Sequence, residues 1–458
     1  MSFYFSAINL GCNKNLVDLE CVIGKILSLG ASYDVQFFED PDAGDVEYLI
    51  INTCGFLSSS REESEEFIQY YDSLGKKLIL MGCYLPVKND SFLNSLQNLY
   101  AVVPFHNYVF IEELITGKKS KSINFLELTK IQNVLKEAKG QKNLENYLQN
   151  LSKKEAFVWK GDEVRAYFNA PYSYEYLKIS EGCDNTCTFC IIPKIRGMQK
   201  SRKKEDIVTE VKLMVQNGIK EICIISQNTP MYGSDIYGEP ILFDLLDEID
   251  TISGDFEIRL FYMYPDILDE KSIKRLKKLK KFIPYFDIPF QHISPKILKK
   301  MGRFYDENHI VNLIESIRKN FNKSFIHTNF IVGFPGEEDE DFEKLICFVK
   351  KYAFESMSVF EYHDEPLSAS FHLDKKVPYK IAGQRLKQLK KVINEVYTNN
   401  FEARKGKIFT GYIMGFDEDN ILIRERFQAP EIDEYDRVKE QNIISGKREI
   451  GERVEYKL

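Results

Sequence analysis

Six short apolar runs alternate with amphipathic stretches through the middle of this chain. They are Tyr176 to Ile179, Glu221 to Ser226, Glu257 to Met263, Tyr285 to Phe290, Phe325 to Val332 and Ser356 to Tyr362. Runs of this length and composition predict strands, and stretches such as Lys203 to Asn217 predict helices. Because alternating strands and helices favour parallel strands with right-handed crossovers, we expect a partial (β/α)6 barrel over residues 171–402.

Three cysteines follow the first of these predicted strands. Cys183, Cys187 and Cys190 are spaced by three and then two residues, on a loop of the kind that carries the chemistry in such barrels. Three thiolates can hold three irons of a four-iron cluster and leave the fourth iron open. A structural zinc site needs four ligands, and a disulfide would leave one thiol over. An iron–sulfur cluster therefore explains this triplet better than zinc or a disulfide.

Three more cysteines end strand-like runs near the amino terminus. The runs and their cysteines are Phe3 to Leu10 with Cys12, Tyr48 to Thr53 with Cys54, and Lys77 to Gly82 with Cys83. The carboxyl ends of parallel strands share one edge of a sheet, so three thiols there could meet on one cofactor. A buried cysteine at a single strand end is common, but three repeats of the placement favour a shared role. We expect an α/β domain over residues 1–115.

The triplet and its surroundings resemble the radical SAM enzymes. Phe189 stands just before the last cysteine, as in that family's signature, and the segments Ile191 to Gly197 and Asn9 to Asp18 are similar to its methylthiotransferase branch. The resemblance implies two [4Fe-4S] clusters, one on Cys183, Cys187 and Cys190 and the other on Cys12, Cys54 and Cys83. It also implies that S-adenosylmethionine contacts residues at the strand ends, namely Phe189, Gln227, Gly333, Gly336 and Glu337.

The chain departs from that family in places. Leu19 stands where relatives usually carry Ser, and Asn228 stands where most carry Asp. We interpret His292 as a histidine of the core rather than a catalytic group. The remaining cysteines lie within helical or strand patterns and are expected in the core: Cys21, Cys223 and Cys347.

The last part of the chain changes its period again. Residues 403–458 contain short alternating runs with Gly and Asp turns, which predict a small five-stranded β-barrel and resemble the OB-like TRAM domain. From residue 405 to residue 458, ten Lys and Arg stand against twelve Asp and Glu, a net charge of −2. A reader of phosphate backbones is expected to be basic. We expect no dedicated nucleic-acid binding here, and expect Asp433, Glu434 and Asp436 to meet a basic substrate.

The whole chain fits a multidomain α/β protein. Its 458 residues exceed one ordinary core, and residues 116–170 are polar and lysine-rich, which predicts a connector with either a solvated face or a basic contact surface. The chain begins without a basic start or signal-peptide core, and its apolar runs are too short to span a membrane. We therefore expect a cytoplasmic protein with reduced thiols and no membrane contact.

Two methylthiotransferase branches differ in substrate. The RimO type modifies an aspartate of small-subunit ribosomal protein S twelve, and the MiaB type modifies an isopentenyl-adenosine of transfer RNA. Tyr262 to Pro265, Asp287 to His292 and Ala429 to Asp433 resemble the RimO type. The resemblance implies methylthio insertion at the aspartate β-carbon, in the context of the ribosome, with an electron donor such as flavodoxin or ferredoxin. A transfer RNA substrate and a non-catalytic iron–sulfur redox protein remain the alternatives.

Overall fold

The computed structural model describes residues 2–117, 159 and 165–458. The chain forms two compact units. Unit 1 comprises Met1–Tyr167, Ser180–Asn185 and Ile191–Arg202, and unit 2 comprises Phe168–Ile179, Thr186–Cys190 and Lys203–Leu458. Most of the lysine-rich connector predicted for residues 116–170 lies outside the described residues. Cys183 belongs to unit 1, whereas Cys187 and Cys190 belong to unit 2.

Unit 1 contains a parallel sheet of five strands in the order β2-β1-β3-β4-β5. The strands are β1 (Ser2–Asn9), β2 (Asp34–Phe37), β3 (Tyr48–Thr53), β4 (Lys77–Gly82) and β5 (Leu99–Val102). The helices are α1 (Asn13–Ser28), α2 (Ser58–Ser73), α3 (Asp90–Ser95), α4 (Ile111–Thr116) and α5 (Ile192–Arg196). The sequence pattern predicted β1, β3 and β4, while β2 and β5 have only four residues each.

The two central strands of the predicted runs, β3 and β4, are buried on both faces of the unit 1 sheet. All six residues of β3 are buried, as a parallel strand covered on both faces requires. Ile68 and Tyr71, one turn apart on α2, pack on Leu49 and Leu78 in the same cluster. The burial of these side chains holds the sheet against its helix.

Unit 2 contains the six predicted strands in one parallel sheet, in the sequential order β6-β9-β10-β11-β12-β13. They are β6 (Tyr174–Lys178), β9 (Glu221–Ile225), β10 (Glu257–Leu260), β11 (Phe282–Asp287), β12 (Phe325–Val332) and β13 (Ser356–Glu361). The helices are α6 (Lys204–Gln216), α7 (Ser234–Tyr237), α8 (Leu242–Asp250), α9 (Glu270–Leu276), α10 (Pro295–Lys300), α11 (Glu307–Asn320), α12 (Asp339–Tyr352) and α13 (Tyr379–Arg404). The predicted partial (β/α)6 architecture is confirmed.

Two further sheets complete the described residues. β7 (Ser180–Glu181) and β8 (Lys200–Ser201) form a short antiparallel pair in unit 1. The carboxyl-terminal sheet is antiparallel, in the order β16-β15-β14-β18-β17. Its strands are β14 (Ile408–Asp417), β15 (Asn420–Glu425), β16 (Asp436–Val438), β17 (Ile443–Ser445) and β18 (Arg453–Lys457). The prediction of a small five-stranded β domain is confirmed.

A buried ion cluster joins the carboxyl-terminal sheet to the barrel within unit 2. Glu221, the first residue of β9, accepts hydrogen bonds from Arg259 Nε and Arg424 Nη1, both at 2.7 Å. Burial raises the pKa of the Glu221 carboxyl, but the two guanidinium charges outweigh burial and lower it. Arg259 also donates to the backbone oxygen atoms of Arg426 and Phe427, at 2.8 Å and 3.1 Å. Side chains at the start of β9 and within β10 therefore anchor the carboxyl-terminal sheet to the barrel.

Two expectations about individual residues are wrong. Cys347 is exposed, because it lies on the solvent side of α12 between the buried pairs Leu345, Ile346 and Phe348, Val349. Asp436 is buried, and its two carboxylate oxygens accept from Arg404 at 2.9 Å and 2.6 Å, so it is not free to meet a basic substrate.

Other expectations hold. Cys21 and Cys223 are buried, as predicted, and all nine cysteines are free thiols. Within the described part of the chain, every helix is too short or too polar to cross a membrane.

Glu221→Gln tests the buried ion cluster. The neutral amide leaves Arg259 and Arg424 buried without their shared charge, so we expect the free energy of unfolding of unit 2 to fall by about 3 to 5 kcal/mol. Urea denaturation measures the loss. Asp255→Asn is the control, because Asp255 pairs with Lys220 at 3.3 Å on the surface, where loss of a pair costs less than about 1 kcal/mol.

The effect of Glu221→Gln should also depend on pH. Because the folded-state pKa of Glu221 is lowered, its stabilisation is fully present above the ordinary pKa of Glu. It is lost as pH falls through the folded-state pKa. The unfolding free energies of wild type and variant should therefore converge in acid. A difference that stayed constant as both proteins were acidified would contradict this assignment.

Candidate functional site

The structure brings the three amino-terminal cysteines together at one edge of the unit 1 sheet. The strands β1, β3 and β4 are adjacent in the sheet. Cys54 and Cys83 are the first residues after β3 and β4, and Cys12 lies in the short loop after β1. The sulfur atoms of Cys12 and Cys83 each lie 3.5 Å from Oδ1 of Asn15, so they lie within twice that distance of each other. Cys83 N–H donates to the backbone oxygen of Thr53 at 2.9 Å, which brings the β3 and β4 loops together.

The thiols of this group differ in acidity. Burial raises the pKa of Cys83 to about 11, with Arg196 opposing and the thiols of Cys12 and Cys54 adding to the rise. Cys12 is exposed to solvent. Desolvation of its sulfur raises its pKa, but the charges of Lys14 and Arg196 outweigh desolvation and lower the pKa below its ordinary value. The three thiols are thus close enough to influence one another.

Glycines allow the loops of this edge to approach closely. A Cβ atom on Gly55 would lie 2.3 Å from the backbone oxygen of Cys83. A Cβ atom on Gly82, whose φ is +103°, would lie 2.4 Å from the backbone oxygen of Thr53. Any side chain at either position would push apart the backbone segments that carry Cys54 and Cys83.

All three nitrogen atoms of the Arg196 guanidinium donate hydrogen bonds, one of them to a cysteine of this group. Its Nε donates to the sulfur of Cys83 at 3.2 Å, and its Nη2 donates to Oδ1 of Asn15 at 2.7 Å. Its Nη1 donates to Asp18 and Glu181, both at 3.0 Å. Burial opposes the charge of Arg196, but Cys83 and the two carboxylates outweigh burial and raise its pKa. The sequence motif contained Arg196, but its contact with Cys83 was not predicted.

The donor set of this edge fits a thiolate-bound cluster. Three cysteines follow adjacent strands of this edge, Arg196 donates an N–H to one of their sulfur atoms, and soft thiolate ligands favour iron–sulfur clusters. Across residues 2–117, 159 and 165–458, no three His, Cys, Asp or Glu side chains converge as ligands of a single metal ion. A four-iron cluster is wider than one ion, so its ligands stand further apart.

The carboxyl half of the triplet loop is tied to the barrel. The backbone N–H of Thr188 donates to the oxygen of Met301 at 2.9 Å, and its hydroxyl donates to the oxygen of Lys300 at 2.8 Å. Cys187 and Cys190 are half-buried, and Cys190 N–H donates to the oxygen of Cys187 at 3.1 Å. This tight turn orders the two cysteines at the carboxyl end of the sheet.

Phe189 joins the triplet loop to the segment that follows β12. It packs on a cluster that contains Phe334, Ile331 and Met301. Glu337 is buried beneath that segment, where Oε2 accepts from Gly333 N–H at 3.0 Å and Oε1 accepts from Arg385 at 2.7 Å. The carboxylate of Glu337 therefore fixes the shape of the Gly333 to Gly336 turn from inside the fold.

The other expected residues lie along the same edge of the unit 2 sheet. Gln227 follows β9 and is half-buried, and the neighbouring strand β6 leads into the triplet loop, with Ile179 N–H donating to Ile225 O at 3.0 Å. His292 is fully buried, with Nε2 at 3.5 Å from Glu337, as expected for a core histidine. The structure thus places Phe189, Gln227 and the Gly333 to Glu337 segment at the ends of three strands of one sheet.

Sequence reasoning did not single out two side chains beside the triplet. The hydroxyl oxygen of Tyr264 lies 3.8 Å from the sulfur of Cys187. The guanidinium of Arg303 lies over the ring of Tyr264, at 4.2 Å from its centroid. Tyr264 belongs to one of the family-like segments, which was a usable signal, while no motif pointed to Arg303.

The comparisons with known proteins cover both units. Residues 177–349 match the Radical SAM superfamily, and residues 4–103 match the uncharacterized protein family UPF0004. The chain is 36% identical over 429 residues to "Ribosomal protein uS12 methylthiotransferase RimO" of Aquifex aeolicus, covering 93% of this chain and 88% of the relative. It is 37% identical to the protein of the same name from Carboxydothermus hydrogenoformans, covering 93% and 91%.

A solved structure shares the fold. The chain is similar to the radical S-adenosylmethionine methyltransferase TsrM of Kitasatospora setae, solved with cobalamin and a [4Fe-4S] cluster bound. The TM-score is 0.57 at 13% identity, with 81% of this chain and 77% of that chain covered. At this identity, the likeness supports the fold.

Gly55→Ala tests the close approach of the cysteine loops. The new methyl group would meet the backbone of Cys83, so we expect unit 1 to lose about 1 to 3 kcal/mol of stability through overpacking. Denaturant unfolding and iron content after reconstitution measure the effect. The control is Gly44→Ala, because a Cβ atom at that exposed position meets nothing within 4 Å. Equal behaviour of the two variants would contradict the prediction.

Proposed function

Because this chain belongs to the RimO family of ribosomal protein uS12 methylthiotransferases, we propose that it inserts a methylthio group at the β-carbon of an aspartate of ribosomal protein uS12. The observation that carries the proposal is the similarity to the relative from Aquifex aeolicus, 36% identity over 93% of the chain. The two cysteine groups at strand ends support the same activity.

We assign the cofactors by residue. Cys183, Cys187 and Cys190 would hold one [4Fe-4S] cluster, and a second set would hold another: Cys12, Cys54 and Cys83. The first set falls within the segment that matches the Radical SAM superfamily, and all three cysteines of the second set fall within the UPF0004 match. The contacts of Asn15 and Arg196 with the second set support its assignment as a ligand set.

We assign S-adenosylmethionine to the edge of the barrel beside the triplet. Phe189, Gln227, Gly333, Gly336 and Glu337 would shape its site. Phe189 would supply an apolar wall, since it packs with Phe334. Glu337 would act through the turn it holds, because its carboxylate is turned inward onto Gly333 and Arg385.

The two clusters answer a chemical difficulty. No side-chain base can remove a proton from an unactivated aliphatic carbon. When bound at the triplet, the cluster supplies the electron with which S-adenosylmethionine generates an oxidant for such a C–H bond. The role of this chain is to hold the reactants in place and to exclude water from them.

We propose the partners from the same family membership. The substrate would be met in the context of the ribosome, and a flavodoxin or ferredoxin would donate electrons in the cytoplasm. The carboxyl-terminal segment carries a net charge of −2, which fits a basic protein partner better than a phosphate backbone. Exposed Glu434 remains available for such a contact.

Mass analysis tests the substrate. The reconstituted enzyme, incubated with ribosomal protein uS12, S-adenosylmethionine and a reductant, should add about 46 Da to one aspartate, the mass of a methylthio group replacing hydrogen. Cys187→Ala is the matched control, because an incomplete triplet should give no product. Methylthiolation of isopentenylated transfer RNA, with uS12 unchanged, would transfer the assignment to the MiaB type.

Iron analysis tests the two-cluster assignment. Two four-iron clusters give about eight irons per chain. Replacing Cys183, Cys187 and Cys190 together by Ala should leave about four, since the other set stays intact. Cys347→Ala, at an exposed cysteine outside both sets, should keep the full content. Loss of all iron or of none in the triple variant would refute two independent clusters.

A further inference from the structure

Arg303 is a buried cation without a carboxylate partner. Its side chain is 5% exposed. Among the residues that the structure describes, no Asp or Glu lies within ion-pair distance of it, and its Nε–H has no hydrogen-bond partner. A buried charge of this kind is costly unless an opposite charge compensates it. The carboxylate of Asp266 acts on Arg303 from beyond ion-pair distance, so an anion closer to the guanidinium would stabilise it further.

Aromatic residues hold Arg303 in a single orientation. The guanidinium lies 4.2 Å from the ring centroid of Tyr264 and 5.6 Å from that of Phe189. Nη1 donates to the hydroxyl of Tyr305 at 3.4 Å, and that hydroxyl donates to the backbone oxygen of Phe290 at 3.0 Å. Ring faces attract a cation but do not neutralise it. Arg303 is thus positioned without a carboxylate in ion-pair contact among the described residues.

The acidic groups around Arg303 include two thiols of the triplet, beside the hydroxyls of Tyr305 and Tyr264. Burial opposes the charge of Arg303, but Tyr305, Cys187, Tyr264 and Cys190 outweigh burial and keep its pKa above the ordinary value. Geometry gives the same proximity, since the ring of Tyr264 lies 4.2 Å from the guanidinium and its hydroxyl lies 3.8 Å from the sulfur of Cys187. Thiolates that bind iron would supply the negative charge that the site lacks.

Tyr264 reaches the same ligand through a hydrogen bond. Its hydroxyl oxygen lies 3.8 Å from the sulfur of Cys187. Once that sulfur is a thiolate it can only accept, so the hydroxyl of Tyr264 becomes the donor. Cys187 then receives a hydrogen bond from Tyr264 and the field of the Arg303 charge.

We propose that Arg303 and Tyr264 are positioning residues that raise the reduction potential of the cluster bound at the triplet. Arg303 acts through its positive charge, which no carboxylate of the described residues contacts, and Tyr264 acts through its hydrogen bond to Cys187. Uptake of one electron from an external one-electron donor makes the thiolate-bound group more negative by one charge. Positive charge nearby and hydrogen bonds to sulfur favour that state. The inference rests on the proposed function only in requiring a cluster at the triplet.

The test is a redox titration of the full-length reconstituted protein, followed by electron paramagnetic resonance. The signal that changes when S-adenosylmethionine is added reports the triplet cluster. Arg303→Gln should lower the equilibrium constant for reduction at least tenfold, which is about 59 mV for a one-electron couple. Tyr264→Phe should lower it less, and Arg303→Lys, which keeps the charge, should restore most of the loss.

Arg318→Gln is the matched control, since Arg318 pairs with Glu355 at the surface at 2.8 Å, and its potential should equal that of the wild type. Iron content is measured for every variant. If Arg303→Gln does not retain its cluster, Arg303→Lys and Tyr264→Phe still decide the question.

Two results would overturn the proposal. One is a wild-type potential in both Tyr264→Phe and Arg303→Gln. The other is an unchanged potential with weaker binding of S-adenosylmethionine in Arg303→Gln, which would mean that the guanidinium serves a ligand carboxylate instead. Failure of the proposed function would look different, because the wild type itself would then show no cluster signal sensitive to S-adenosylmethionine.

Discussion

Parallel hydrogen bonding between neighbouring strands decides which loops meet in each unit. In unit 1, Asn9 pairs with Asn52 and Thr53 pairs with Gly82, so the loops after β1, β3 and β4 begin at nearly the same level. In unit 2, Lys178 pairs with Ile225, which sets the triplet loop beside the segment of Gln227. Slipping any of these registers by one residue would turn buried side chains to the opposite face. Core packing therefore holds the functional edges in place.

The sequence predicts those features whose causes are local. Apolar runs predicted the long buried strands, and cysteines directly after them predicted which thiols would gather. The short strands β2 and β5 have too few residues for a clear period. Cys347 shows a similar limit, because an apolar helical pattern does not say that one position of α12 turns to solvent.

Side chains whose partners lie far away in the sequence could not be predicted. Arg196 donates to Asp18 and to Cys83, which precede it by 178 and 113 residues. No period or motif encodes such a contact. Arg303 lies in a stretch without any chemical motif. Its significance depends on the lack of an ion-paired carboxylate beside it among the described residues. The roles of both arginines can be recognised only from their burial together with the side chains that they contact.

The net charge of the carboxyl-terminal segment also depends on partners that are distant in the sequence. Arg424 is bound to Glu221 and Arg426 to Glu257, so two of its basic residues neutralise the barrel rather than face solvent. Asp436 is neutralised by Arg404, which lies outside the counted segment. The charge left for a partner is therefore more acidic than the simple balance, which strengthens the argument against a phosphate backbone.

The two buried arginines beside the cysteine groups differ in what they can do. Arg196 is matched by the carboxylates of Asp18 and Glu181, so its field is largely cancelled and its main contribution to Cys83 is a directed N–H bond. Arg303 has no such match among the described residues, so its field extends to Cys187. A guanidinium that is paired with carboxylates mainly orients the side chain to which it donates. A guanidinium without an ion-pair contact changes the free energy of adding an electron to a nearby group.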